Sequence, residues 1–400
     1  MTDRSILYST ACLRALATGM SGILIGIHLA KLGFSAAAVG VVVGAGLVGC
    51  TTAALLATIG ADHFGRRRVL VQLAILGAAG GAALVFTSNL TTIALASFAG
   101  MLNGMGRDRG ASLIIEQAIL PSTTGEGDRT RAFAWYNVAQ DLGHAFGSLL
   151  AGLPALLRRV GGVGEIQSFR LSWGVYMILL LAAALLYLRL SSAVERHSSV
   201  VATPLSPPSR RILWRISSLF ALDSLGGGFL TTALLSVFFY ERFGVTEAAV
   251  GSLFFAARAL NALSHLGAAW LSRRIGLVRT MVFTHIPSTL LLVTVAYAPT
   301  FPIAAALFLL REGLVEMDVP TRQSYVMAMV RPEERTLASG VTHLVRLGAW
   351  AVAPSFAGLF MTGVSLATPL FLGAGLKVTY DLLLYNAFVH LKPPEEREPR

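Results

Sequence analysis

Stretches of about twenty predominantly apolar residues recur twelve times along the chain, broken only by short polar segments. Wound as an α-helix at about 1.5 Å per residue, such a stretch matches the ~30 Å hydrocarbon layer of a bilayer. The expected spans run over residues 8–31, 36–60, 69–88, 91–117, 131–157, 171–190, 212–241, 246–271, 278–298, 301–328, 335–362 and 367–390. Only 13% of the residues are charged, against about 25% in an average soluble domain. No water-soluble core accommodates this much apolar surface, so the chain reads as an all-α membrane protein with the lipid bilayer as solvent.

The net charge of +11 is spread over the ends of the apolar runs, which excludes a single nucleic-acid patch. One set of loops holds Arg66, Arg67, Arg68, Arg129, Arg131, Arg189, Arg196, Arg210, Arg211, Arg273, Arg274, Arg279, Arg331 and Arg335; the alternate set holds only Lys31, Arg158, Arg159, Arg170 and Arg242. The excess of positive charge places the first set in the cytoplasm. An even number of spans then puts both termini there, in a multi-pass plasma (inner) membrane protein. Cys12 and Cys50 both fall inside apolar runs, so neither a disulfide framework nor a metal site is expected. Arg14 interrupts the first apolar stretch, and no basic segment with a small-residue cleavage site precedes it, so a cleaved signal peptide is not expected.

The chain repeats itself. Gly33-Phe-Ser-Ala-Ala-Ala-Val-Gly40 matches Gly244-Val-Thr-Glu-Ala-Ala-Val-Gly251 at an offset of 211 residues. Gln117, Arg129-Thr130 and Ala151-Gly152 match Gln323, Arg335-Thr336 and Ala357-Gly358 at an offset of 206. Matches in one order at nearly one offset indicate duplication. The longest polar gap, Ser191–Arg211 with Pro204, Pro207 and Pro208, reads as a cytoplasmic linker between an N-terminal bundle (1–190) and a C-terminal bundle (212–400). The fold expected is two pseudo-symmetric six-helix bundles, with a site at their interface near the membrane midplane.

The loop after the second span, Asp62-His63-Phe64-Gly65-Arg66-Arg67-Arg68, resembles the Asp-Arg/Lys-x-Gly-Arg-Arg/Lys signature of the major facilitator superfamily. Its repeat copy is Arg273-Arg274-Ile275-Gly276-Leu277-Val278-Arg279. The resemblance covers the whole chain and implies a rocker-switch transporter whose first, fourth, seventh and tenth helices line a central cavity. There are departures: Thr58 stands where the family has glycine, and His63 replaces a basic residue. The Gly-Pro-x-x-Gly-Gly element of many drug–proton antiporters is reduced to Gly147-Ser148 and Gly152. The segment Met317–Tyr325 looks like that of uncharacterised prokaryotic members.

Charge at the centre of a membrane helix costs at least ~2.5–3.5 kcal/mol per residue, so such residues mark function or pairing. They cluster on the four spans that the resemblance assigns to the cavity: Arg14 on the first, Arg107, Asp108, Arg109 and Glu116 on the fourth, Asp223 on the seventh, and Arg311, Glu312, Glu316, Asp318 and Arg322 on the tenth; Arg258 on the eighth and Arg346 on the eleventh read as ties between helices. Leu13-Arg14-Ala-Leu16 lies over Leu222-Asp223-Ser-Leu225 at an offset of 209, so the halves place opposite charges at related positions. Arg14 and Asp223 are candidates for a pair made and broken during transport, with Asp223 as a proton site, against a static pairing. On continuous helices, Arg109 and Glu116 share one face, as do Arg311, Asp318 and Arg322. Arg14, Arg107, Asp108, Arg109, Asp223, Arg311, Glu312, Glu316 and Asp318 are the candidates for contact with cargo or coupling ion. The resemblance implies a conformational lock from Asp62, Arg66, Glu116 and Arg322, with Glu116 meeting the signature loop at Arg66. Gly226-Gly227-Gly228 invites either an unwound helix or close packing, and the scattered histidines His28, His144, His265, His285 and His343 read as polar contacts between helices, with proton coupling as the alternative. The run Gly100-Met-Leu-Asn-Gly104-Met-Gly106 follows no strand and is no phosphate loop.

These features predict a secondary active transporter, not an enzyme. It moves a small polar or anionic solute by alternating access, coupled to protons, as a monomer without cofactor, metal or nucleic acid. The rival readings are a proton-driven exporter of amphipathic compounds and a non-transporting membrane sensor.

Overall fold

The computed structural model describes residues 2–123, 129–195, 206–331 and 334–390. Among them are sixteen α-helices, α1 (Asp3–Lys31), α2 (Ala36–Phe64), α3 (Arg66–Phe86), α4 (Leu90–Ala99), α5 (Ala111–Ile119), α6 (Arg129–Leu150), α7 (Leu153–Gly161), α8 (Glu165–Tyr187), α9 (Pro207–Gly228), α10 (Thr232–Phe243), α11 (Glu247–Ile275), α12 (Leu277–Ala296), α13 (Phe301–Val315), α14 (Asp318–Met329), α15 (Arg335–Gly363) and α16 (Thr368–Phe388), and no strand. They make twelve spans. The fourth is α4 with α5, the seventh α9 with α10, the tenth α13 with α14, and α7 is a short helix after the fifth. Among the described residues, seven stretches are long and apolar enough to cross a membrane on those grounds alone. The fourth and tenth miss that test because each is cut into two shorter helices.

Local chemistry sets the boundaries. Ser35 caps α2, its hydroxyl accepting from the Ala38 amide, and Thr231 does the same for α10 through Leu234. Gly65 and Gly276 join α2 to α3 and α11 to α12 with φ of +91° and +87°. That left-handed region is strained for any residue with a Cβ, so both signature loops need glycine at this point. The two glycines are 211 residues apart, the offset of the sequence repeat, and the duplication is therefore visible in the backbone as well as in residue identity.

The chain divides into two compact units, one holding Met1–Ser198, Thr231–Phe255 and Pro354–Leu366, the other Ser199–Leu230, Ala256–Ala353 and Ala367–Arg400. In the first, Leu7, Leu70, Ile115, Tyr136 and Tyr187 form a buried core. In the second, Phe220, Met281, Tyr325, Tyr380 and Phe388 do so. Large apolar side chains also face outward: Ile59 is 68% exposed, Trp214 74% and Leu185 64%. Water penalises such a surface and lipid does not. Beside the start of α9, Glu334 accepts the Ser206 amide at 2.6 Å and the Arg331 amide at 3.2 Å. The Ser209 hydroxyl and these amides hold its carboxyl down at about 2.

Candidate functional site

The fourth span breaks where its sequence stops favouring a helix. Gly100, Gly104, Gly106 and Gly110, interleaved with Asn103 and Asp108, separate Ala99 from Ala111. Side chains supply the missing turns: Asn103 Oδ1 accepts the Met105 amide at 2.8 Å, Asn103 Nδ2 donates to the Arg107 carbonyl at 2.6 Å, and Asp108 Oδ1 accepts the Gly110 amide at 3.3 Å. The Asp108 amide donates to His144 Nε2 at 2.7 Å, and Met101 takes φ +53°. Non-helical backbone at membrane depth is tolerated only when its polar groups are satisfied in this way.

Around that break lies the charge cluster of the first unit. Arg14 of α1 is buried; its Nε donates to Asp108 Oδ2 at 3.0 Å and its Nη1 to Glu116 Oε1 at 2.6 Å. Glu116 is fully buried and also accepts from the Thr10, Tyr187 and Tyr136 hydroxyls, each at 2.6 Å. Arg14 Nη1 donates to the Tyr187 hydroxyl as well. A small cleft opens beside the pair, lined by Arg14, Asp108, Asn103, Ser112, Cys50 and Tyr176 among others.

The second unit carries an inverted cluster. Asp223 of α9 is 3% exposed and accepts from Lys377 Nζ at 2.8 Å and Arg322 Nη1 at 3.1 Å, with Arg346 Nη2 at 3.7 Å. Arg322 also donates to Asp318 Oδ2, one turn earlier on α14, at 2.7 Å. His285 of α12 contacts both carboxylate oxygens of Asp381 at 2.9 and 3.0 Å, and Lys377 Nζ at 3.3 Å. On α13, Arg311 pairs with Glu312, which accepts Asn261 Nδ2 at 2.9 Å.

Residues 7–354 match the family model of the Major Facilitator Superfamily. The chain belongs to the Major Facilitator Superfamily. An uncharacterized membrane protein of Saccharomyces cerevisiae is 24% identical over 421 residues, 97% of this chain and 94% of that protein. Among solved structures, the nucleoside transporter NupG is similar with a TM-score of 0.74 at 14% identity, over 97% of this chain and 99% of the other. The xylose transporter XylE from E. coli, in an inward open conformation, gives 0.73 at 13% identity over 97% and 98%. At such identities the likeness to solved structures is one of fold.

Within this superfamily member, the residues singled out from sequence fall into separate groups. Arg14, Asp108 and Glu116 meet in one unit; Asp223, Asp318 and Arg322 meet in the other. Arg14 and Asp223 therefore each have partners inside their own unit. Arg107, Arg109 and Glu316 are half-buried at or beside the helix breaks. The face arithmetic that paired Arg109 with Glu116 assumed a continuous helix, and the break at 100–110 removes its basis. The tenth span is likewise interrupted at Glu316–Met317, so Arg311 lies on α13 and pairs with Glu312, while Asp318 and Arg322 share α14. The glycine run Gly100–Gly106 belongs to the break rather than to a helix. Gly226, Gly227 and Gly228 remain helical and serve packing: a Cβ on Gly228 would lie 2.7 Å from that of Ala353, and one on Gly227 2.8 Å from Trp350 Nε1. The helix ends immediately after them.

Of the four lock residues, Glu116 lies among the partners of Arg14 and Arg322 among those of Asp223. Glu116 spends its carboxylate on Arg14, Thr10, Tyr136 and Tyr187 rather than on Arg66. The side chain of Asp62 lies outside the described residues. The signature loop is held instead by Glu195, which accepts the Arg67 amide at 3.2 Å, while Arg67 Nη1 donates to the Leu190 carbonyl at 3.1 Å. Lys377 and Asp381, central to the second cluster, carried a signal that the sequence reading passed over: a lysine and an aspartate one helical turn apart inside an apolar span. His28 and His144 do link helices, His28 Nδ1 accepting from Trp173 Nε1 at 3.0 Å.

Proposed function

We propose that this superfamily member is a secondary active transporter of a small polar or anionic solute, coupled to protons and working by alternating access as a monomer in the plasma membrane with both termini cytoplasmic. The observation that carries the reading is the cleft beside the broken fourth span. Its lining combines the Arg14 guanidinium, the Asp108 carboxylate, the Asn103 amide and the Ser112 hydroxyl. This is a polar donor and acceptor set beside a segment of non-helical backbone, and it suits a polar cargo better than an amphipathic one. Arg14 supplies the group that meets a carboxylate or phosphate, and Asp108 holds that guanidinium in place. The buried cluster around Asp223 and His285 supplies titratable groups for coupling.

The test is uptake into proteoliposomes containing the purified protein, using labelled nucleosides, sugars, amino acids and small organic anions, with and without an imposed pH gradient. Accumulation of one polar class that collapses with the gradient is expected, and Arg14→Lys is expected to weaken it at least tenfold in apparent affinity. Uptake limited to amphipathic cations, or indifferent to the gradient, would reject the corresponding half of the reading.

A further inference from the structure

His285 sits between groups that dictate where its proton is. Lys377 Nζ has three hydrogens and no acceptor, and it lies 3.3 Å from His285 Nε2 while donating to Asp223 Oδ1 at 2.8 Å. Nε2 must therefore be the bare nitrogen. A ring with one proton then carries it on Nδ1, facing Asp381. We propose that His285 is the coupling-proton site of the second unit, and that protonating it expels Lys377 from Asp223.

The mechanism is steric and electrostatic. A second ring proton, on Nε2, points an N–H at an ammonium 3.3 Å away. Acceptor becomes donor, and two positive charges face each other across one hydrogen-bond length. Lys377 turns away, and Asp223 loses one of the cations that surround it. Asp381, on the other side of the ring, supplies the anion that stabilises the imidazolium. The charge count agrees. Asp223, Asp318 and Asp381 stand against Arg322, Arg346 and Lys377, so the cluster is balanced while His285 is neutral and gains one charge on protonation. Asp223 is a poorer acceptor, because neutralising it removes the carboxylate that Lys377, Arg322 and Arg346 all approach.

Among the described residues, charged and aromatic groups come to His285 from four helices. From α16 come Asp381, Lys377 and the Tyr380 ring, edge-on at 6.1 Å. From α9 comes Asp223 Oδ1 at 4.0 Å. Arg322 and Asp318 of α14 join through Asp223, and Arg311 of α13 is paired with Glu312. His285, Lys377 and Asp381 lie on the ninth and twelfth spans, outside the four that the resemblance assigns to the cavity, and meet Asp223 of the seventh. The use of this site rests on the proton-coupled reading, but its existence does not.

The experiment is a pH titration of the full-length protein in lipid nanodiscs without cargo, followed by NMR of ¹³C,¹⁵N-histidine rings and ¹³Cε-lysine. The lysines are Lys31, Lys377 and Lys392, so replacing Lys31 and Lys392 by arginine leaves Lys377 alone in the spectrum. His285 is identified by the signal lost in His285→Gln. Between about pH 8 and about pH 5, where histidine charge changes, the Lys377 signal is expected to shift with the same midpoint as the His285 ring. In Lys377→Met the proton affinity of the ring should rise about tenfold, a shift of about one pH unit. A Lys377 signal constant through the range overturns the proposal, and that measurement stands even if neither His285→Gln nor Lys377→Met folds. A silent pair leaves proton-driven transport to another group. A titrating pair in a protein whose transport ignores the pH gradient overturns the coupling role instead.

Discussion

Arg14 and Asp223 hold related positions in the two halves with opposite charge, and their surroundings are inverted to match. In the first unit one cation is clasped by two carboxylates, with Thr10, Tyr136 and Tyr187 completing the shell of Glu116. In the second, one carboxylate is clasped by Arg322, Lys377 and Arg346. The partner positions are related too, since Glu116 and Arg322 are 206 residues apart, the offset of the repeat. The fold therefore does not fix the sign of the buried group. What it requires is local compensation, because an isolated charge in this environment costs several kcal/mol. The halves differ in how they provide it. Hydroxyl donors surround Glu116, whereas the cationic shell of Asp223 borders a histidine.

The largest effect is expected from Asp223→Asn, which takes the carboxylate from Lys377 and leaves Arg322 with Asp318 alone, and should cost about 3–5 kcal/mol, measured as thermal unfolding in detergent. Arg14→Gln should cost less, about 2–3 kcal/mol, because Glu116 keeps three hydroxyl donors. Reversal of that order would break the comparison. Glu116→Arg alone should be severely destabilising, and adding Arg14→Asp should recover about 1–3 kcal/mol as a coupling energy in a double-mutant cycle. No recovery would show that the sign of the first cluster is fixed by something besides its partner. Tyr187→Phe removes one donor from Glu116 and should cost about 1–2 kcal/mol at all pH values. The smallest effect lies outside both clusters. Glu334→Gln should lower the melting temperature slightly at neutral pH. The folded carboxyl sits at about 2, below the ordinary value of about 4.3, so its contribution is complete above the ordinary value and fades as pH falls toward the folded one. The gap between wild type and variant should therefore close in acid, and a gap independent of pH would show that the hydrogen bonds to Ser206 and Arg331 do not need the charge.

The spans, the duplication and the buried charges were legible because each leaves a local mark: length of apolar run, offset of matching residues, ionic side chains where hydrocarbon is expected. Reading faces at 100° per residue was less successful because it assumes a continuous helix. Gly100, Gly104, Gly106 and Gly110 with Asn103 and Asp108 held the warning, since each favours turns over helix. Lys377 and Asp381 escaped notice for the opposite reason. The 21 residues of α16 are apolar enough elsewhere to absorb two charges without spoiling the appearance of a lipid-facing span. Their partners, His285 and Asp223, are distant in sequence, and only the folded chain brings the four together.

The interruption of the fourth span also bears on how the protein enters its membrane. A segment whose amides and carbonyls are turned out between Ala99 and Ala111 is poorly suited to lipid on its own, for its polar groups depend on Asn103, Asp108 and the ring of His144 from the following span. During synthesis it must either wait in a protected setting until the fifth span emerges or insert first as a plain helix and unwind when its neighbours arrive. Either way, this stretch reaches its final form only once the fifth span lies beside it.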